Sequence, residues 1–196
     1  MVSRPGGRPG HRRDADRRGE PVGTAAGHLP GRPRPDLPGL GTPWGTPVTI
    51  AYTEGAEVGY RWFARQHQQP LYAFGHGLSY TTFDYSDLQV EGGDTITATF
   101  TVTNTGDRPG ADVPQVYLTD APGGPRMRLL GFQRVELEPG ASRQVTITAD
   151  PRLLARFDGP DEITGHWRIA EGTHRIAVGK SAHDLALTAD TPMRGN

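Results

Sequence analysis

Apolar and polar residues alternate without a break in TITATFTVT, residues 95–103. The apolar positions are Ile96, Ala98, Phe100 and Val102, and five threonines occupy the positions between and beside them. A period of two is that of a β-strand, and a strand with a single apolar face lies half-buried in an antiparallel sheet. This stretch is therefore predicted to be a strand whose threonines face solvent.

Six further short runs are rich in β-branched and other apolar residues and are separated by turn signals such as NTGD and LEPGA. These runs are DYSDLQV (84–90), DVPQVYLTD (112–120), FQRVELE (132–138), RQVTITAD (143–150), THRIAVG (173–179) and DLALTA (184–189). Pro114 places the start of its strand at an edge or a bulge, because proline has no N–H to donate to a neighbour. Seven strands in roughly 105 residues predict a mainly β fold, an antiparallel β-sandwich of the immunoglobulin or fibronectin type III kind.

Two facing sheets would bury ten apolar side chains from these runs together. The predicted core consists of Ile96, Phe100, Val116, Leu118, Val135, Leu137, Val145, Ile147, Ile176 and Val178. A core of this size is sufficient for a domain that folds on its own.

Upstream of the sandwich, VTIAY (48–52) predicts a short strand. The apolar residues that follow have helical spacing: Ala56, Tyr60, Phe63 and Ala64. Thr53 is a candidate N-cap for this helix, and Pro70 would end it, because proline disfavours helical geometry in the residue before it.

Residues 1–47 contain nine prolines and ten glycines and have no apolar periodicity. They are predicted to be irregular and disordered rather than part of a core. Eight arginines against four acids in residues 1–36 also fit a basic arm that binds nucleic acid. We favour the first interpretation, so no nucleic-acid partner is predicted.

The overall composition narrows the function classes. The net charge is −1, there is no cysteine, and no apolar run approaches the length of a membrane span or of a signal-peptide core. No nucleotide-binding or zinc-protease motif is present, and the seven histidines lack metal-ligand spacing. The sequence thus predicts no cofactor, no metal site and no membrane partner.

Two groups of carboxylates are candidates for acid–base chemistry. Glu54 and Glu57 lie three residues apart, and Asp158, Asp161 and Glu162 cluster in a predicted loop. Glycosidases use a pair of carboxyl groups that flank the scissile bond. Acids near a helix start and in a Gly-Pro loop also have ordinary structural roles, which we favour here.

Aromatic residues are concentrated just before the sandwich. Eight of them lie within residues 52–83: Tyr52, Tyr60, Trp62, Phe63, Tyr72, Phe74, Tyr80 and Phe83. Flat aromatic faces bind sugar rings, but the same crowding is expected where one domain packs against another. Of these two interpretations, we favour an interdomain seam.

The segments YTEGAEVGYRWF (52–63) and QPLYAFGHGLSYTTFDYSDLQV (69–90) resemble the C-terminal part of glycoside hydrolase family 3, the β-glucosidase-like enzymes. Further segments resemble that family's fibronectin type III-like domain: TVTNTGDRPGADVPQVYLTD (101–120), RLLGFQRVELEPGASRQVTITAD (128–150) and EGTHRIAVGKSAHDL (171–185). The resemblance implies that residues 48–80 are the end of an α/β sandwich with its hinge, and that residues 81–196 are the fibronectin-like domain. The family's barrel, with its nucleophilic aspartate, and the region with its acid/base glutamate have no counterpart in these residues.

The resemblance therefore implies a non-catalytic portion of a β-glucosidase-type hydrolase, inactive alone, whose partners are the catalytic barrel and the α/β sandwich. Candidate seam residues, or less favoured substrate-side residues, are Glu54, Tyr60, Trp62, Phe74, His76 and Tyr80. Phe74 and Tyr80 would be buried between the domains, Gly75 and Gly77 would allow a tight backbone path, and His76 would be a hydrogen-bonded residue rather than a catalyst. The alternative is an independent β-sandwich that binds carbohydrate or protein, with Trp62 or Trp167 as its contact.

Overall fold

The computed structural model describes residues 55–159 and 163–195. Within these residues the chain forms one α-helix, α1 (Tyr60–Arg65), one 3-10 turn (Pro151–Leu153) and eleven strands. The strands are β1 (Phe83–Glu91), β2 (Thr97–Asn104), β3 (Gly110–Asp112), β4 (Gln115–Ala121), β5 (Gly124–Phe132), β6 (Val135–Leu137), β7 (Ser142–Thr148), β8 (Arg156–Asp158), β9 (His166–Arg168), β10 (Gly172–Gly179) and β11 (Leu185–Met193). The mainly β prediction is confirmed.

Two antiparallel sheets form the body of the domain. One has the strand order β1-β2-β7, and the other has the order β11-β10-β4-β5. Two small antiparallel pairs, β3 with β6 and β8 with β9, extend from this body. No helix in the described part of the chain is long and apolar enough to cross a membrane.

Strand β2 carries the alternation that the sequence predicts. Its inward side chains are buried, and three of its threonines pair with hydroxyls of the neighbouring strand β7. The oxygen–oxygen distances are 3.1 Å for Thr97 with Thr148, 3.1 Å for Thr99 with Thr146, and 2.7 Å for Thr103 with Ser142. Such cross-strand pairs add to the stability of the sheet.

The core lies between the two sheets, and all ten predicted core residues are buried in it. The sequence prediction did not include several other members of the same cluster. These are mainly Phe83, Tyr85, Leu130, Leu154, Ile169 and Met193. They come from strand ends and connections, where the alternation is short or interrupted.

Several predicted boundaries are wrong. FQRVELE (132–138) is not one strand, because β5 ends at Phe132 and β6 begins at Val135. Strand β5 itself and the β8–β9 pair were not predicted. Helix α1 begins at Tyr60 rather than near Ala56, directly after Gly59, whose φ of 64° is not helical. The predicted strand 48–52 and the Thr53 cap lie outside the described residues.

Candidate functional site

The seam segment, residues 70–80, is attached to the sandwich by stacked aromatic rings. Phe74 stacks on Tyr60 of α1 with ring centroids 4.6 Å apart and an interplanar angle of 21°. Tyr60 in turn packs edge-on against the fully buried Tyr117 of β4, at 6.3 Å. The hydroxyl of Tyr60 also accepts a hydrogen bond from the backbone N–H of Leu129 in β5, at 3.1 Å. Helix α1 and the inner side of the seam segment are therefore fixed to the four-stranded sheet.

A buried glutamine at the start of β4 holds the backbone of the seam segment. The Gln115 amide donates hydrogen bonds to the carbonyl oxygens of Gly75 (3.1 Å) and Lys180 (2.8 Å). Its carbonyl oxygen accepts one from the Tyr117 hydroxyl. The backbone N–H of Ala182 also donates to the Phe74 carbonyl oxygen, at 2.9 Å. Burial raises the pKa of Tyr117, so this phenol remains a donor.

Gly75 is a position where glycine is required. Its φ is +82°, and a Cβ there would lie 2.0 Å from Oε1 of Gln115. A side chain would thus strain the backbone and displace the amide that anchors the segment. The tight backbone path that the sequence predicts is seen at Gly75, and at Gly77 it stays a prediction.

The outer side of the seam segment exposes large apolar side chains. Leu78 is 72% exposed and Tyr80 62% exposed, and Leu71 and Tyr72 are exposed as well. His76 is half-buried, with its ring centroid 5.6 Å from that of Tyr72. Exposed contiguous apolar surface of this kind is typical of a face that another body covers.

A cavity of about 180 Å³ separates the seam segment from the sandwich. Lys180, Arg134 and Asp112 line it, together with residues 77–79 and 81–83. Asp112 accepts a hydrogen bond from the Tyr85 hydroxyl at 2.6 Å, which ties β3 to β1. Burial raises the pKa of Asp112, and the hydrogen bond from Tyr85 only partly opposes this.

The other candidates from the sequence lie on α1, in the β8–β9 pair or outside the described residues. Trp62 is half-buried on α1. Asp158 forms an ion pair with Arg168 across β8 and β9 (2.5 Å). Glu54, Asp161 and Glu162 are outside the described residues. Within the described part of the chain, no group of three or more His, Asp or Glu side chains is arranged to hold a metal ion.

Comparison with known proteins finds relatives of this chain. A model of the fibronectin type III-like domain matches residues 112–182. The structure resembles the crystal structure of a Bifidobacterium adolescentis GH3 β-glucosidase, with a TM-score of 0.77 and 32% sequence identity. The match covers 90% of this chain and 26% of that one. The chain is homologous to the C-terminal region of family 3 β-glucosidases.

Individual relatives agree with this assignment. The chain is 42% identical to a probable β-glucosidase I of Aspergillus clavatus over 66% of this chain and 17% of that protein. It is 36% identical to the thermostable β-glucosidase B of Acetivibrio thermocellus over 70% of this chain and 19% of that protein. The chain thus spans about a fifth of the length of these curated relatives.

In this family 3 homologue, sequence reasoning missed the residues that hold the site together. Gln115, Asp112, Tyr85 and Lys180 lie within the segments that carry the family resemblance, but those segments do not reveal the internal contacts that these residues make. The sequence does contain one indication of a special role for Gln115, because this polar residue directly precedes the apolar run of residues 116–118. Lys180 gave another, because it is the only lysine in the chain. The aromatic crowding did identify Tyr60 and Phe74, which lie in contact with each other.

Proposed function

We propose that this chain is a non-catalytic support that docks onto the catalytic domains of a β-glucosidase-type glycoside hydrolase through its seam segment. In this proposal residues 48–80 complete the neighbouring α/β sandwich and form the hinge, and residues 81–196 form the supporting β-sandwich. The partners are the catalytic barrel and the α/β sandwich of that enzyme. Hydrolysis of O-glycosyl bonds would belong to the complete assembly.

One observation carries the proposal: the seam segment is held rigidly on its inner side while its outer side is apolar and exposed. A loop that served only as a spacer would not need a buried amide and two stacked rings. Fixing the segment before docking lowers the entropic cost of association, because the apolar side chains are already in place. Burial of Leu78 and Tyr80, weighted by their exposure, would contribute about 2–4 kcal/mol.

The chemistry of glycoside hydrolysis also favours a supporting role. A retaining glycosidase needs a nucleophile and an acid/base, both carboxyl groups at a fixed separation. Two of the described carboxylates are engaged in structural contacts: Asp112 accepts a hydrogen bond from the Tyr85 hydroxyl, and Asp158 pairs with Arg168. Incubation of the purified chain with an aryl β-glucoside should therefore give no turnover above the buffer control. Turnover that disappears in Glu57→Gln would contradict the proposal.

A chimeric enzyme tests docking directly. In the Acetivibrio thermocellus β-glucosidase, the region that aligns with this chain is replaced by residues 48–196. We expect an active enzyme whose half-life at elevated temperature shortens in the double variant Leu78→Ser, Tyr80→Ser, because the seam loses apolar contact. Ile163→Ser is the matched control, since Ile163 is 94% exposed and lies away from the seam. Equal half-lives for the seam variant and the control would refute docking through this face.

A further inference from the structure

The β8–β9 hairpin presents an aromatic pair that the docking role does not use. Phe157 and Trp167 are directly opposed in the register, with ring centroids 5.7 Å apart and an interplanar angle of 68°. Trp167 is 67% exposed and Phe157 40% exposed. The edge-to-face contact favours one orientation of the indole and leaves most of its surface open.

Two glycines adjoin the aromatic pair on the side of the hairpin tip. Side chains two residues apart lie on the same face of a strand, so the positions next to the pair towards the hairpin tip are Gly159 and Gly165. A Cβ on Gly159 would lie 2.2 Å from the Cα of Gly165, so the two backbones approach closely there. At these two positions, therefore, no side chain stands beside the aromatic pair. Across the hairpin, the ion pair of Asp158 with Arg168 holds the strands together.

The hairpin lies at the end of the sandwich away from Gly75. Strand β4 starts at Gln115, which binds Gly75, and ends at Ala121 about 20 Å further along. At that far end, Gly172 of β10 packs against Pro122, and β9 ends only four residues before β10 begins. A body that covers the seam loop at Gly75 would leave this end of the domain open.

The exposed area argues against a protein partner. The two aromatic side chains together expose on the order of 250 Å². Each side of a stable protein interface buries roughly 800 Å², so these two side chains alone would supply only about a third of the area that a second copy of the chain or another protein needs. It matches one or two rings of a small ligand that binds by stacking.

A β-linked glucose ring fits these properties. Its hydroxyl groups are equatorial and its axial hydrogens form two weakly apolar faces, so a face can stack on an indole while the hydroxyls stay hydrated. We propose that Phe157 and Trp167 form a second binding site of this chain, a platform for one or two rings of a β-linked gluco-oligosaccharide. The choice of sugar rests on the proposed function, but the platform itself does not depend on docking through the seam.

Titration of the whole chain with oligosaccharides tests the platform. The probes are cellohexaose and laminarihexaose, with α-linked maltohexaose as the ligand control, followed by calorimetry and tryptophan fluorescence. We expect binding of at least one β-linked hexasaccharide, weakened about tenfold or more in Trp167→Ala because the stacking surface is lost. Trp167→Tyr should retain most of the affinity. Thermal unfolding of each variant checks that the domain is still folded.

A seam variant separates this inference from the proposed function. Tyr80→Ala should leave the oligosaccharide affinity unchanged, even if it impairs docking in the chimeric enzyme. The inference is overturned if the wild-type chain binds neither β-linked probe, if Trp167→Ala binds as well as wild type, or if Tyr80→Ala loses the same affinity. A wild-type dimer that Trp167→Ala converts to a monomer would instead identify a second copy as the occupant.

Discussion

Replacing Gly75 by alanine should destabilise the domain more than the backbone conformation alone explains. A residue with a Cβ costs about 1–2 kcal/mol in left-handed backbone. The added Cβ would also lie 2.0 Å from Oε1 of Gln115, so the amide must move and lose its bonds to the Gly75 and Lys180 carbonyl oxygens. At about 1 kcal/mol for each hydrogen bond, the total cost is about 3–4 kcal/mol.

Gly140→Ala is the matched control. Gly140 has a φ of +71°, close to that of Gly75, but no atom lies within 4 Å of the position of its Cβ. Its substitution should therefore cost only the backbone component of about 1–2 kcal/mol. At roughly 3–5 °C per kcal/mol for a domain of this size, Gly75→Ala should melt roughly 6–10 °C below Gly140→Ala.

Two measurements decide the outcome. Thermal unfolding gives the difference in Tm, and hydrogen exchange reports the amide of Ala182, which donates to the Phe74 carbonyl oxygen. In Gly75→Ala this amide should exchange faster, because the seam segment loosens; in Gly140→Ala it should not. Equal Tm values and equal protection in the two variants would refute the role assigned to Gln115.

Three further predictions concern the sandwich itself. Asn104→Ala should lower the free energy of unfolding by about 3–4 kcal/mol in urea titrations, because the buried side chain makes four hydrogen bonds; a loss below about 1 kcal/mol would contradict this. Because the pKa of Asp112 is raised in the folded state, folding favours the protonated carboxyl group. The stability that this group contributes is complete below its unfolded-state pKa. It is lost as the pH rises through its folded-state pKa. The side chain introduced by Asp112→Asn can still accept the hydrogen bond from the Tyr85 hydroxyl but does not titrate. The free energy of unfolding of this variant, relative to that of wild type, should therefore increase with pH across that window. A difference that does not vary with pH would contradict the prediction. Phe100→Ala should lower the free energy of unfolding, measured by chemical denaturation, by about 3–5 kcal/mol. Thr101→Ala, on the solvent side of β2, should lower it far less. Similar losses in the two variants would contradict the assignment of Phe100 to the core.

The sequence predicts the parts of the fold where one face is apolar and the other polar. Strand β2 is the clearest case, because every second residue is buried and each threonine between them is at least partly exposed. Strand β5 escaped prediction because its sequence, GPRMRLLGF, places arginines and adjacent leucines where an alternation is expected. Helix α1 packs against this strand, so residues on both of its sides are partly buried and no simple period results.

The candidate site was predictable only in part. Aromatic crowding indicated the seam, and Tyr60 and Phe74 do stack there. The hydrogen-bond partners of Gln115 could not be predicted from the sequence, because they are Gly75 and Lys180, 40 and 65 residues away. Tyr80 is exposed, and its burial between domains stays a prediction.

The reach of Gln115 has a consequence for the order of assembly. Its amide meets Gly75 and Lys180 together only after β4 and β10 have paired within the sheet. The apolar outer side of the seam segment is thus displayed in its fixed form only by a sandwich that has already folded. Catalytic domains that bind this surface would therefore bind folded β-sandwiches in preference to partly folded ones. Folding of the β-sandwich would then precede docking and be required for it.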